Sequence, residues 1–169
     1  MLNSLRYNLT RLVIFAGRES RVLFWPYAAC VFVLGFVAVG VVMNLELVNL
    51  VSDPSAATSD FTRLVTALAT VVSGMVLLLA AAVSRRLHNR DRTARWGLLP
   101  PLFLLLNVLG AVRLFAMALG SEEPDLTRVA PLFFGLFLSN GCYLASLGWL
   151  LYLLATSKGE GPNRFGAAT

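Results

Sequence analysis

The side chains of this chain that could do chemistry are mostly arginines, and they cluster. One run reads Arg85-Arg86-Leu87-His88-Asn89-Arg90-Asp91-Arg92-Thr93-Ala94-Arg95, and Arg18 and Arg21 precede it in the N-terminal segment. A guanidinium fork matches phosphate and carboxylate oxygens two at a time, so such clusters suit anionic ligands. His88 is the only histidine. As a general base it would want an acidic orienter, and its neighbour is Asn89. As a metal ligand it lacks the accompanying Cys or carboxylate cluster that a site of three or four ligands needs. Cys30 and Cys142 lie singly in apolar runs, the pattern of small packing residues and not of a disulfide or ligand pair. No nucleophile motif, phosphate loop or paired carboxylate is found. The sequence therefore identifies no catalytic residue, no metal site and no cofactor.

The elements that must position these arginines are apolar. Of 169 residues, 57% are hydrophobic and 14% charged, with a mean hydropathy of +0.73. A soluble domain is about half apolar and about a quarter charged, so the deficit of charge indicates a membrane protein. Four apolar blocks, about 25–47, 61–84, 97–119 and 129–156, each have the roughly 20 residues needed to cross a bilayer. The expectation is an all-α fold: one integral membrane domain over 1–169, built as a four-helix transmembrane bundle. Pro26 falls in the first turn of the first span, where a missing amide costs little. Ser59 or Asp60 is placed to cap the second span after a polar loop at 48–60. Pro100 and Pro101 either start the third helix proper or kink its first turn. A cleaved signal peptide is not expected, because the first block is too long and no small-residue cleavage site follows it. Residues 1–16 carry Leu2, Leu5, Leu9, Leu12 and Val13 at helical steps between Arg6, Asn8 and Arg11. They form a short amphipathic helix that lies on the inner membrane interface or packs on the protein's own polar cap.

Charge sets the orientation. The N-terminal segment, the 85–96 loop and the C-terminal tail together hold eleven basic residues and three acidic ones, Glu19, Asp91 and Glu160. The two opposite loops hold Arg63 and Arg128 against six acids. The lysine and arginine bias puts the basic side in the cytoplasm, and an even number of spans is needed for all three segments to share it. The net charge of +5 does not indicate nucleic acid, because the basic residues flank apolar blocks instead of forming a face on a soluble fold.

Within the spans, Arg113 is the unusual residue. A charge in hydrocarbon costs at least ~2.5 kcal/mol, so it needs a partner or a route to water. Snorkelling or a pair with Glu46 would supply one; an anionic ligand is the alternative. Asn107, Ser139 and Asn140 suit hydrogen bonds between the third and fourth helices, and Gly141 with Ala145 would let the fourth helix approach another closely.

Three segments resemble a known family. Gly17-Arg18-Glu19-Ser20-Arg21 with Phe24-Trp25 is similar to its G-R-x-x-R…[FY]-W opening. Arg85-Arg86-Leu87-His88 with Arg92-Thr93-Ala94-Arg95-Trp96 is similar to its R-R-L-H-D…R-S-x-W-W segment. Gly161-Pro162-Asn163-Arg164-Phe165-Gly166 is similar to its G-x-N-R-F-G terminus. The family is the domain-of-unknown-function group of small bacterial inner-membrane proteins typified by YhaH and YhaI. The resemblance implies a bacterial cytoplasmic-membrane protein and no particular reaction. Asn89 replaces the usual Asp, Arg95-Trp96 a double tryptophan, and Ala167-Ala168 an acidic residue and proline. Shorter members also reach the terminal motif one span sooner.

With four spans, all three motifs fall on one face. Arg18, Arg21, Arg85, Arg86, His88, Asn163 and Arg164 are expected to assemble into a polar cap there that binds anionic lipid head groups or a protein partner. Otherwise they neutralise helix ends and one another, with Glu19, Asp91 and Glu160 as counter-ions. The leading function is a membrane scaffold or accessory protein whose partner is another protein or a further copy of itself. The alternatives are a small transporter or channel with a polar path past Asn107, Arg113 and Asn140, and a lipid-phosphate enzyme using His88 in a closed polar pocket.

Overall fold

The structure, a computed structural model, describes residues 1–52, 57–119, 126–156 and 163–166, the side chains of 50, 57–62, 118–119 and 126 aside. The elements in order are α1 (Leu2–Leu9), α2 (Arg21–Ser52), α3 (Ala57–His88), a 3-10 helix (Ala94–Leu98), α4 (Leu99–Leu119) and α5 (Leu126–Ala155). The fold is all-α. Among the described residues the only strand-like pairing is an isolated bridge between Asn163 and Gly166.

Four helices are long and apolar enough to cross a membrane. At 1.5 Å per residue, the 32 residues of α2 or α3 reach about 48 Å, well beyond a hydrocarbon core of roughly 30 Å. The helices therefore run further than hydropathy alone marks out. Helix α3 continues through Arg85, Arg86 and His88, which the sequence assigns to a loop. The arginines do not end the helix because their side chains are anchored inside the protein. Ser59 and Asp60 lie inside α3 and do not cap it, since the helix already begins at Ala57. Pro26 lies in the second turn of α2, not the first, because α2 begins at Arg21. It removes the rung that the Val22 carbonyl would have accepted. Pro100 and Pro101 start α4 directly after the 3-10 helix, where their fixed φ suits a first turn.

The helices pair as two hairpins. Helix α2 packs along α3, and α4 along α5, while α3 makes lighter contacts with α4 and α5. Glu19 N–H donates to the Arg85 carbonyl, and Arg86 reaches the end of α5. The start of α2, the end of α3 and the end of α5 thus share one end, the basic end. The buried core lies there too: Phe24, Tyr27, Ala28 and Val31 of α2 meet Ala82 and Leu87 of α3 and Leu150, Leu153 and Leu154 of α5. Further along, Phe36, Val37 and Val41 on α2 and Phe133, Phe134, Phe137 and Leu138 on α5 point outward. Large apolar side chains outward on helices with internally bonded backbones are what a lipid surround requires.

Two glycines mark close approaches between paired helices. Gly35 receives the end of Met75 from α3, and Gly110 of α4 receives Leu136 of α5. Gly141 and Ala145 do not serve this purpose among the described residues. Both are exposed, and nothing lies within 4 Å of a side chain added at Gly141. Gly110→Val, which drives into Leu136, is accordingly expected to destabilise the protein by about 1–3 kcal/mol. Gly141→Val, with the same chemistry in open space, should leave the midpoint nearly unchanged. Thermal unfolding of both variants in one detergent checks the difference.

Candidate functional site

The basic end is built from the backbone outward. Gly17 has φ +91°, in the left-handed region that glycine adopts without strain. The turn there delivers Arg18 and Glu19 into the interior just before α2 starts. Helix α1 crosses this end with Ser4 and Asn8, four residues apart on one face, turned inward. Ser4 Oγ and Asn8 Nδ2 both donate to the Leu23 carbonyl. Leu5 and Leu12 pack against the apolar core, while Leu2, Leu9 and Val13 stay exposed.

Arg85, Arg86 and Glu19 form the centre, with relative exposures of 1%, 0% and 0%. Arg85 Nε donates to Glu19 Oε2 at 2.9 Å. Its terminal nitrogens donate to the carbonyls of Arg11 (2.9 Å) and Ile14 (2.5 Å) and to Asn8 Oδ1 (2.6 Å). Arg86 donates to the carbonyls of Leu154 (2.8 Å), Thr156 (3.1 Å) and Glu19 (3.3 Å). The last carbonyls of a helix have no amide of their own to accept from, and they carry the negative end of its dipole. Arg86 therefore closes the end of α5, and Arg85 closes the turns after α1. Burial pushes the Glu19 carboxyl above the ordinary carboxylate range, against the lowering influence of Asn8 and Arg85.

A second layer is held by the tail. Arg18 clasps Asn89 Oδ1 with Nε at 3.0 Å and a terminal nitrogen at 2.7 Å, and donates to the Gly166 carbonyl at 3.1 Å. The neutral Asn89 thus accepts from Arg18 through its amide oxygen. His88 Nδ1 lies 3.1 Å from the Gly17 carbonyl. A carbonyl only accepts, so that nitrogen carries the ring proton. The His88 ring stacks on Phe165 with centroids 3.9 Å apart and planes 7° from parallel. Asn163 Nδ2 donates to the His88 carbonyl, and Asn163 Oδ1 accepts from the Phe165 amide. Arg164 pairs with the Asp91 carboxylate at 2.9 Å and donates to the Asp91 carbonyl at 2.8 Å.

All seven expected cap residues converge on this end, but in different roles. Arg18, Arg85 and Arg86 do not present themselves to an external head group: they are buried, and their forks are occupied by the protein's own oxygens. Arg21 and Arg164 are exposed, and His88 and Asn163 are half-buried. Glu19 is the counter-ion of Arg85 and Asp91 that of Arg164, while Glu160 and Gly161 lie outside the described residues.

The intramembrane candidates do not converge. Glu46 pairs with Arg63 at 3.2 Å, so it is not the partner of Arg113. Arg113 and Asn140 are exposed and Asn107 half-buried. Among the described residues no hydrogen bond joins any two of the three. Cys30 and Cys142 are free and half-buried. No three His, Cys, Asp or Glu side chains among the described residues come together as metal ligands.

One feature escaped the sequence reading. A half-open polar cleft of about 450 Å³ is lined by Arg90, Asp91, Arg92, Thr93, Trp96 and Arg164. It joins the segment after α3 to the C-terminal turn, two stretches more than 70 residues apart. The local signal was the alternation Arg90-Asp91-Arg92, in which Asp91 takes a left-handed φ of +58°.

Comparison with known proteins adds a family. The model of the family described as "Protein of unknown function (DUF805)" matches residues 12–167, in accord with the three motifs. No curated protein and no solved structure matches the chain.

Removing one partner of a buried ion pair leaves the other uncompensated, at a cost of about 3–5 kcal/mol. Arg85→Ala is expected to lose at least that much stability in detergent, because four acceptors are orphaned together. Combined with Glu19→Gln, the loss should fall short of additive, which a double-mutant cycle reads directly. A second expectation concerns pH. Below the ordinary Glu value of 4.5, both folded and unfolded states hold the Glu19 proton. As pH rises, the unfolded carboxyl loses its proton first, so this residue's contribution to stability declines until the raised folded pKa is passed. Glu19→Gln should flatten that slope while keeping an acceptor for Arg85. Unfolding midpoints taken across pH 4–8 for both proteins check it.

Proposed function

The chain belongs to this family, and we propose that it is a multi-pass accessory or scaffold protein of the bacterial cytoplasmic membrane, its basic end facing the cytoplasm and engaging anionic lipid head groups. The observation that carries this reading is the reversed face of the N-terminal segment. Ser4 and Asn8 are buried, while Leu2, Leu9, Val13 and Phe15 are exposed beside the exposed Arg6 and Arg11. Apolar side chains outward between arginines suit the boundary between acyl chains and head groups, and make no sense against water. Arg21 and Arg95 extend the exposed positive rim. The bias of eleven basic residues to two supports the cytoplasmic orientation. A cap fixed by buried bonds gives a partner protein a rigid surface to recognise.

The alternatives draw less support. A transport path would need Asn107, Arg113 and Asn140 to line one route, and no hydrogen bond joins any two of them among the described residues. A lipid-phosphate enzyme would need His88 in a polar pocket. Its Nδ1 is tied to Gly17, its ring lies against Phe165, and it does not line the cleft.

Two measurements bear on the proposal. Cysteines introduced at Glu123 and Arg95 should react oppositely with an impermeant thiol reagent in intact cells, the first labelled and the second protected. Labelling of both, or of Arg95→Cys alone, excludes the orientation. In bilayer discs, exchanging phosphatidylcholine for phosphatidylglycerol should stabilise the protein, and Arg6→Ala with Arg11→Ala should remove about 1 kcal/mol of that gain per arginine. A gain that survives the double substitution excludes α1 as the lipid contact.

A further inference from the structure

We infer that the cleft between the segment after α3 and the C-terminal turn is a binding site for a phosphomonoester group, carried either by a small soluble molecule or by a lipid head group. The inference goes beyond the general attraction of the basic end for an anionic leaflet, and it stands on different residues.

Three of the six lining side chains are arginines, Arg90, Arg92 and Arg164, and the only acid among them is Asp91. Asp91 is already engaged by Arg164 through its carboxylate and its carbonyl. The cleft therefore keeps two positive charges that its own walls do not neutralise. Arg90 is held in place on one side only. A terminal nitrogen donates to Thr156 Oγ1, the guanidinium lies 5.6 Å from the centre of the Tyr152 ring, and Nε is buried with no partner. A buried N–H without an acceptor is destabilising, and an oxyanion seated against Arg90 would offer one. The Arg92 side chain is exposed and makes no hydrogen bond or ion pair among the described residues, while its backbone amide donates to the Leu87 carbonyl.

The same walls are held in position by aromatic contacts. Trp96 meets Trp149 at 6.3 Å, and Trp149 stacks on Tyr152 at 5.6 Å, the ring that also bears Arg90. A row of rings from α5 thus fixes both an arginine and a flat apolar wall, so little ordering is left to be done on binding. The volume, about 450 Å³, is in the range of small-molecule sites and exceeds what a bare ion fills. A dianionic phosphomonoester offers three terminal oxygens to guanidinium forks, and its organic body would lie along Trp96.

The test uses the full chain in bilayer discs of mixed phosphatidylcholine and phosphatidylglycerol, so that the general demand for negative lipid is already met. In one arm glycerol 3-phosphate is titrated and tryptophan fluorescence followed. In the other, a small fraction of phosphatidic acid replaces phosphatidylglycerol and the midpoint of unfolding is read. Saturable binding is expected in at least one arm. Saturation by the soluble ester assigns a free ligand, and a response to phosphatidic acid alone assigns a head group. Arg92→Gln should weaken binding about tenfold or more, as expected for one charged hydrogen-bond donor. Arg128→Gln removes the same charge at the opposite end of α5, away from the cleft, and should change it less than about twofold at physiological salt. The Arg92 side chain has no internal partner among the described residues and its backbone bond to Leu87 survives the substitution, so Arg92→Gln leaves the fold intact even where Arg90→Gln does not. Equal weakening by Arg92→Gln and Arg128→Gln, or no saturation in either arm, overturns the proposal. Neither result depends on the phosphatidylglycerol stabilisation attributed to α1.

Discussion

Two adjacent arginines buried at the end of α3 set the terms for the rest of the molecule. A guanidinium out of water is tolerable only when its donors are met, because the desolvation penalty runs to several kcal/mol per ion. Arg85 and Arg86 meet theirs with seven contacts drawn from the N-terminal segment, from Glu19 and from the end of α5. Most of the acceptors are backbone carbonyls, so side-chain chemistry dictates where three separate stretches of main chain must lie. Apolar contacts such as Phe24, Tyr27 and Leu153 then fill the space around the knot.

This concentration at one end explains an otherwise uneven structure. Away from the knot, helices associate in pairs and leave most of their apolar surface outward. Inside lipid there is no hydrophobic drive to close such a bundle, so helix contact depends on fit, as at Gly35 against Met75 and Gly110 against Leu136. Specificity of assembly in this fold comes from polar bonds at the membrane boundary, where their desolvation is affordable, and from small notches further along.

Much of the architecture was legible because it rests on local composition. Apolar blocks of sufficient length and the bias of basic residues to alternate connections give the spans and the common end. What escaped depends on partners distant in sequence. Nothing near Arg85 announces that Asn8, 77 residues earlier, and Glu19 will occupy its fork. The arginines therefore read as a solvated loop, when in fact they prolong α3. Leucines at helical steps in α1 drew attention to its apolar face, yet Ser4 and Asn8 are the residues it buries. The cleft was invisible for the same reason: Arg90 and Arg92 gain their meaning only when Arg164 arrives from the tail.

The acceptors of Arg86 have a further consequence for biogenesis. Leu154 and Thr156 are made 68 and 70 residues after the arginine they satisfy. While the ribosome is still working through α4 and α5, the first hairpin holds a guanidinium with most of its donors unmet. It must stay at the wet boundary and wait. The cap closes only after Asn163, Arg164 and Phe165 have been made and seat themselves on the segment at the end of α3. A chain cut short before those residues would carry all four long apolar helices and still lack these contacts.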